Sequence, residues 1–165
     1  KMNRRLVAMV LEEAAPHNES AILDLFCGCG NFSLPLAKRA GTVVGVESAG
    51  ESFEAAQENA RANEIGNVTF MRKTAEDALR QLVSSGAKFD AAVLDPPRRG
   101  AGPCLKTLTR LGVRRVVYVS CSLKTLRRDL SHLERVGYKA RKIRPLDMFP
   151  QTHHVECVVT LEREA

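Results

Sequence analysis

The side chains best placed for covalent chemistry in this chain are a cysteine and a glutamate, each set beside apolar sequence. Cys121 follows residues 115–120 (Arg-Val-Val-Tyr-Val-Ser), a strand pattern, and precedes residues 123–136, a helical one. The start of a helix and nearby cations favour negative charge at such a point, which suits a sulfur nucleophile. The alternative is a packing cysteine, the commoner fate of a lone thiol. Glu156 interrupts the apolar residues 154–161, where an unpaired carboxylate is costly. It is either an edge-strand acid facing water or a proton acceptor held at the margin of the solvent. Two more acids end apolar runs. Glu47 closes residues 42–47 (Thr-Val-Val-Gly-Val-Glu), and Asp95 closes residues 90–95, where Pro96-Pro97 stop the strand.

The elements that must position these groups alternate along the chain. Residues 21–26 read as a buried strand, Gly28-x-Gly30 as a turn, and residues from Asn31 onward as a helix with Phe32, Leu34, Leu36 and Ala37. Residues 42–47 form a second strand. Residues 48–63 form a helix with Phe53, Ala56 and Ala60 on one face and Ser48 or Ser52 as caps. Strands follow at 67–71, 90–95 and 115–120, with helices at 75–83, 102–111 and 123–136; residues 138–143 and 154–161 close as a pair of strands. Apolar strands alternating with helices predict an α/β fold with a mainly parallel sheet covered on both faces. In such sheets ligands lie outside the carboxyl ends of the strands, so Asp24, Glu47, Asp95 and Cys121 are expected on one rim.

Composition narrows the class. The chain has 165 residues, 44% hydrophobic and 27% charged, ordinary values for one globular domain. No stretch approaches the roughly 20 apolar residues of a membrane span, so no membrane partner is expected. Five cysteines, with no Cys-x-x-Cys pair, argue against a disulfide framework and a zinc site and for a reducing, cytoplasmic setting. Residues 98–144 hold 14 Lys/Arg and 2 Asp/Glu, a bias that points to a polyanion, most simply nucleic acid. The amphipathic pattern of Leu6, Val7, Val10 and Leu11 is already under way at the first residues. Residues 1–165 are therefore expected to be one domain of a longer protein.

The glycine turn constrains the cofactor. A dinucleotide loop would carry Gly-x-Gly-x-x-Gly, but Ser33 stands at the third position. Asp24 would repel a pyrophosphate and suits a ligand with positive groups, such as the ammonium and sulfonium of S-adenosylmethionine. Gly28 and Gly30 let backbone approach that ligand, and Glu47, at the end of the next strand, stands where an acid bonds a ribose hydroxyl. Asp-x-Phe-x-Gly-x-Gly followed by an acidic strand end resembles the class I methyltransferases. The resemblance implies a Rossmann-like, mainly parallel seven-stranded sheet, helices on both faces and an antiparallel last strand. Asp95-Pro96-Pro97 then falls in the acceptor loop. Arg98 replaces the aromatic residue of enzymes that methylate adenine amines, and the Pro-Cys of RNA cytosine-5 enzymes is missing.

Leu-Asp-Leu-Phe-Cys-Gly-x-Gly-Asn-Phe, Val-Val-Gly-Val-Glu, Asp-Pro-Pro-Arg-x-Gly, Tyr-Val-Ser-Cys, Thr-Leu-x-Arg-Asp and Asp-x-Phe-Pro-x-Thr-x-His-x-Glu occur in that order. Together they resemble the RNA 5-methyluridine methyltransferases of transfer or ribosomal RNA over nearly the whole chain. The resemblance implies Cys121 as nucleophile toward carbon 6 of uracil and Glu156 as the base that removes the carbon-5 proton. It implies cofactor contacts from Phe26, Asn31, Glu47 and Asp95. His153 and His154 could orient the base or be ordinary strand-entry residues. Two departures stand out. Ser122-Leu123 replaces the family's Asn-Pro after the nucleophile, and the family's upstream glutamine segment is absent from these residues. In many members an N-terminal RNA-binding barrel, sometimes with an iron–sulfur cluster, precedes that segment; no metal is expected here, and a monomer is expected. The competing readings are RNA cytosine-5 or other base methylation on the same fold, and a non-catalytic RNA-binding module.

Overall fold

The structure is a computed structural model that describes residues 2–148, 151 and 155–164. His153 and His154 lie outside the described residues. Seven strands form one sheet: β1 (Ala21–Leu25), β2 (Thr42–Glu47), β3 (Val68–Arg72), β4 (Ala91–Leu94), β5 (Arg115–Ser120), β6 (Tyr138–Leu146) and β7 (Glu156–Arg163). Their spatial order is β3-β2-β1-β4-β5-β7-β6. The first five strands run parallel, and β7 is antiparallel to both β5 and β6, between which it inserts.

Six helices, α1 (Met2–Ala14), α2 (Ser33–Ala37), α3 (Gly50–Ala62), α4 (Ala75–Ser84), α5 (Cys104–Leu108) and α6 (Leu123–Arg135), connect or cover the strands. The central strands are apolar throughout because both faces are covered: Ile22, Val93, Val117 and Val119 pack under α1 and α2, while Leu23, Leu25, Leu94 and Tyr118 pack under α4, α5 and α6. Each leucine taken fully from water contributes about 1.5–3 kcal/mol. Leu126, Asp129 and Leu133, spaced at helical intervals, are the buried face of α6. Ion pairs fasten α1 to the far edge. Glu13, nearly buried, accepts from Lys142 Nζ (2.7 Å), Arg144 (2.9 Å) and Thr160 Oγ1 (2.8 Å).

The seven expected strands and their order along the chain are present. Three local expectations need correction. Residues 102–111 form only a short α5 followed by a 3-10 turn at Thr109–Leu111, because Gly102 holds a left-handed φ of +48°. Neither Ser48 nor Ser52 caps α3; Ala49 is its cap residue, and Ala49 N–H donates instead to Glu47 Oε1 at 2.7 Å. Phe26 leaves β1 in the left-handed region, with φ +64°, so the turn begins one residue earlier than its apolar side chain suggests.

Candidate active site

Four acids or thiols reach the carboxyl rim of the sheet from adjacent elements. Asp24 is the fourth residue of β1, Glu47 the last of β2, Asp95 follows β4 and Cys121 follows β5. Glu156 is the first residue of β7. The shared rim expected from strand-end spacing is therefore formed, and the insertion of antiparallel β7 beside β5 adds Glu156 to it.

The β5–β7 register brings the cysteine and the glutamate together. Ser120 pairs with Cys157 at the end of the ladder. The ladder ends at that pair, and Cys121 and Glu156, the next residue on each side, stand at the same end of the sheet. The turn that carries Cys121 is braced by its neighbour: Ser120 Oγ accepts from Ser122 N–H at 3.1 Å and donates to the Ser122 carbonyl at 3.2 Å. Cys27, Cys104 and Cys157 are buried, and burial pushes their thiols up, that of Cys104 to about 12. Cys121 is half-buried at the rim. Cys29, on the glycine turn, is exposed.

Burial first, and the charge of neighbouring acids second, raises Asp24 and Asp95. Asp24 is fully buried; Oδ2 accepts from Ser33 Oγ at 2.5 Å, while Oδ1 has no partner. Burial, with the nearby charges of Asp95 and Glu47, raises its carboxyl to about 7. Asp95 is likewise raised to about 7, by burial and by the charge of Glu156. Glu156 is raised by burial. A rim of carboxylates that destabilise one another is suited to a cation, which would relieve them. The same unpartnered Asp24 oxygen makes this side of the sheet hostile to a pyrophosphate.

The glycine turn is latched to β2 by a carboxylate. Glu47 Oε2 accepts from Gly28 N–H at 3.0 Å. Gly28 has φ +55° and open space where a Cβ would stand, and Gly30 has φ +90°. Two depressions border this turn. One, of about 390 Å³, is lined by Cys29, Gly30, Asn31 and Asn59; the other, of about 400 Å³, by Phe26, Thr74, Arg99 and Cys104. Asn31 exchanges two side-chain hydrogen bonds with Asn3 of α1, at 2.9 and 3.2 Å, a contact between residues 28 apart. Among the described residues no group of three or more His, Cys, Asp or Glu is arranged to hold a metal, and no helix is long and apolar enough to cross a membrane.

Residue types alone did not reveal the groups that hold the loop after Asp95. Asp129, buried in α6, accepts from Tyr118 Oη (2.6 Å), Ala101 N–H (2.7 Å) and Arg128 (2.7 and 2.9 Å). Arg128 also donates to the Arg99 carbonyl at 2.8 Å, and Thr125 Oγ1 to the Arg98 carbonyl at 3.0 Å. A Cβ on Gly100, whose φ is +81°, would meet Asp129 Oδ2 at 2.5 Å. The signal was the Thr-Leu-x-Arg-Asp run itself, whose three polar members all turn toward one loop.

The sheet order and the acidic rim define a class I methyltransferase fold, and solved structures agree. Precorrin-6y C5,15-methyltransferase from Geobacter metallireducens superposes with a TM-score of 0.80 at 15% identity, over 97% of this chain and 88% of that one. The profile of the tRNA (uracil-5-)-methyltransferase family matches residues 1–164, and the chain belongs to that family. The 23S rRNA (uracil(1939)-C(5))-methyltransferase RlmD of Pseudomonas aeruginosa is 45% identical over 161 residues, covering 98% of this chain and 36% of the relative. The RlmD of Pectobacterium atrosepticum is 46% identical over 155 residues, covering 94% of this chain and 34% of the relative. The tRNA (uracil-54, C5)-methyltransferase of Pyrococcus abyssi, solved with S-adenosyl-L-homocysteine, has a TM-score of 0.80 at 34% identity, over 96% of this chain and 38% of that one. The chain thus spans about a third of the length of these relatives.

Proposed function

We infer that residues 1–165 are the catalytic domain of a longer protein that methylates carbon 5 of a uridine in ribosomal or transfer RNA, with S-adenosylmethionine as methyl donor. The observation that carries this reading is the register of β5 against β7, which brings Cys121 and Glu156 to the same end of the sheet, with Asp95 close to Glu156.

Carbon 5 of uracil is too weak a nucleophile to take a methyl group unaided. Attack of the Cys121 thiolate on carbon 6 forms a carbon–sulfur bond and moves the ring electrons to an enolate, which makes carbon 5 nucleophilic. S-adenosylmethionine, when bound, supplies an electrophilic methyl group. Glu156 then takes the carbon-5 proton, the electrons re-form the ring double bond, and the Cys121 thiolate leaves. A carboxyl raised by burial is a stronger base than one in water, which suits Glu156 to this step. Asp95, close to Glu156, orders the acceptor base and cofactor. Phe26, Asn31 and Glu47 contact the cofactor, while Gly28 and Gly30 admit it to the backbone. The fit to a cationic ligand rests on the unpartnered, buried Asp24 oxygen and the raised Asp95.

The partner is RNA, met by a monomer in the cytoplasm. An iron–sulfur cluster, if the whole protein has one, lies outside these residues. Glu156→Gln separates the two halves of the chemistry. It is expected to transfer methyl but stall in release, so that a denaturation-resistant protein–RNA adduct accumulates on ordinary uridine RNA. Rapid multiple turnover by that variant rules out Glu156 as the base.

A further inference from the structure

Residues 98–144 carry fourteen Lys and Arg, which the structure divides into two populations. Arg115, Arg128, Lys139, Arg141, Lys142 and Arg144 each form an ion pair within the chain. Strand β6 is the most densely basic element, yet all four of its cations are answered: Lys139 and Arg141 by Glu164 and Glu162, Lys142 and Arg144 by Glu12 and Glu13. A phosphate approaching β6 must compete with a carboxylate already in place.

Four cations with no carboxylate partner among the described residues stand at the other place that matters. Arg98 and Arg99 follow the Asp95-Pro96-Pro97 exit of β4, and Lys124 and Arg127 follow Cys121 at the start of α6. All four are exposed. Lys124 and Arg127 are three residues apart and share a helix face. The two pairs hold a fixed relation, because Thr125 Oγ1 bonds the Arg98 carbonyl and Arg128 bonds the Arg99 carbonyl. Arg128 is itself held by Asp129. They are therefore a built surface beside Cys121, made of free charges on an anchored backbone.

We propose that Arg98, Arg99, Lys124 and Arg127 bind the phosphate backbone of the RNA on either side of the nucleotide presented to Cys121, and that the basic strand β6 takes no part. This rests on the RNA-methylation reading above. An enzyme that works on a base must take it out of its stack, and cations flanking the nucleophile hold the strand from which the base is turned.

The test is the salt dependence of binding of the full-length protein to a fluorescein-labelled oligouridine. For single strands each phosphate neutralised contributes about 0.7 to the slope of log K against log salt. Replacing all four residues by Gln is expected to reduce that slope by about 3, whereas Lys139→Gln with Arg141→Gln leaves it unchanged. Should the quadruple variant melt early, Arg98→Gln/Arg99→Gln and Lys124→Gln/Arg127→Gln decide the matter, each removing about 1.4 from the slope. An unchanged slope in the rim variants, or a larger loss in the β6 variant, overturns the proposal. Capture of 5-fluorouridine RNA by the unmodified protein reads the methylation chemistry separately. An adduct together with an unchanged slope in the rim variants defeats the surface assignment alone.

Discussion

Asp129→Ala should destabilise the chain clearly, although its side chain lies outside the proposed Cys121–Glu156 pair. Asp129 is 1% exposed. Its Oδ2 accepts from Tyr118 Oη at 2.6 Å and Ala101 N–H at 2.7 Å, both buried. Removing the carboxylate leaves the Tyr118 hydroxyl proton without an acceptor, at about 1–3 kcal/mol, while Ala101 N–H keeps its 3.1 Å bond to Tyr118 Oη. The bonds from Arg128 add little, because that side chain is 56% exposed and water replaces its partner. The total is about 1–3 kcal/mol, which for a domain of this size lowers the melting temperature by about 2–12 °C. Tyr118→Phe deletes one donor and should cost about 1 kcal/mol. In the Tyr118→Phe background Asp129→Ala takes the last acceptor from Ala101 N–H, so it should cost about 1–3 kcal/mol there as well. Thermal unfolding of the four members of this cycle, followed by circular dichroism, measures both numbers. A loss below about 1 kcal/mol for Asp129→Ala in either background would refute the reasoning. Because Asp129 also anchors the loop after Asp95, milder variants that stay folded should lower kcat while cofactor affinity holds.

Other perturbations have equally definite outcomes. Asp24 has a folded-state pKa of about 7, above that of an unfolded aspartate. The ligand-free fold therefore keeps a proton that the unfolded chain gives up between about pH 4 and 7, and this contribution to stability is lost as pH rises through that window. Asp24→Asn removes the effect, so its melting temperature relative to the parent should climb from pH 5 to pH 8, with a ceiling of about 4 kcal/mol; a difference independent of pH contradicts the buried charge. Glu47→Ala frees Gly28 N–H and Ala49 N–H and should weaken S-adenosylmethionine binding by about tenfold or more, corresponding to about 1.4 kcal/mol by titration calorimetry. Unchanged affinity would remove Glu47 from the cofactor site.

Much of this fold could be read from the sequence because the central strands are buried on both faces. Their near-continuous apolar runs at 21–25, 91–94 and 115–120 leave little alternative. The rim acids were legible for the same reason: a charge at the end of such a run has to be where the strand meets solvent. What could not be read is what depends on spatial order. The arrival of Cys121 and Glu156 at the same end of the sheet arises from the insertion of β7 between β5 and β6, and apolar pattern does not encode that order. The Asn3–Asn31 pair and the turn of Thr125, Arg128 and Asp129 toward the Arg98–Ala101 backbone are long-range side-chain contacts with no periodic signature. Nor does charge counting distinguish β6, neutralised by Glu12, Glu13, Glu162 and Glu164, from the free cations beside Cys121. The α3 start was also illegible, since no side chain caps its first turn and Glu47 accepts only from the N–H of the cap residue Ala49.

The most direct measurement is covalent capture. RNA carrying 5-fluorouridine has no removable proton at carbon 5, so a thiolate that has added to carbon 6 stays attached after methyl transfer. With S-adenosylmethionine and the full-length protein, a denaturation-resistant adduct is expected, with peptide mass spectrometry placing the nucleotide on Cys121 and Cys121→Ala abolishing it. An adduct on Cys29, the exposed thiol of the glycine turn, or no adduct with an active protein, would contradict the assignment of Cys121 as the nucleophile.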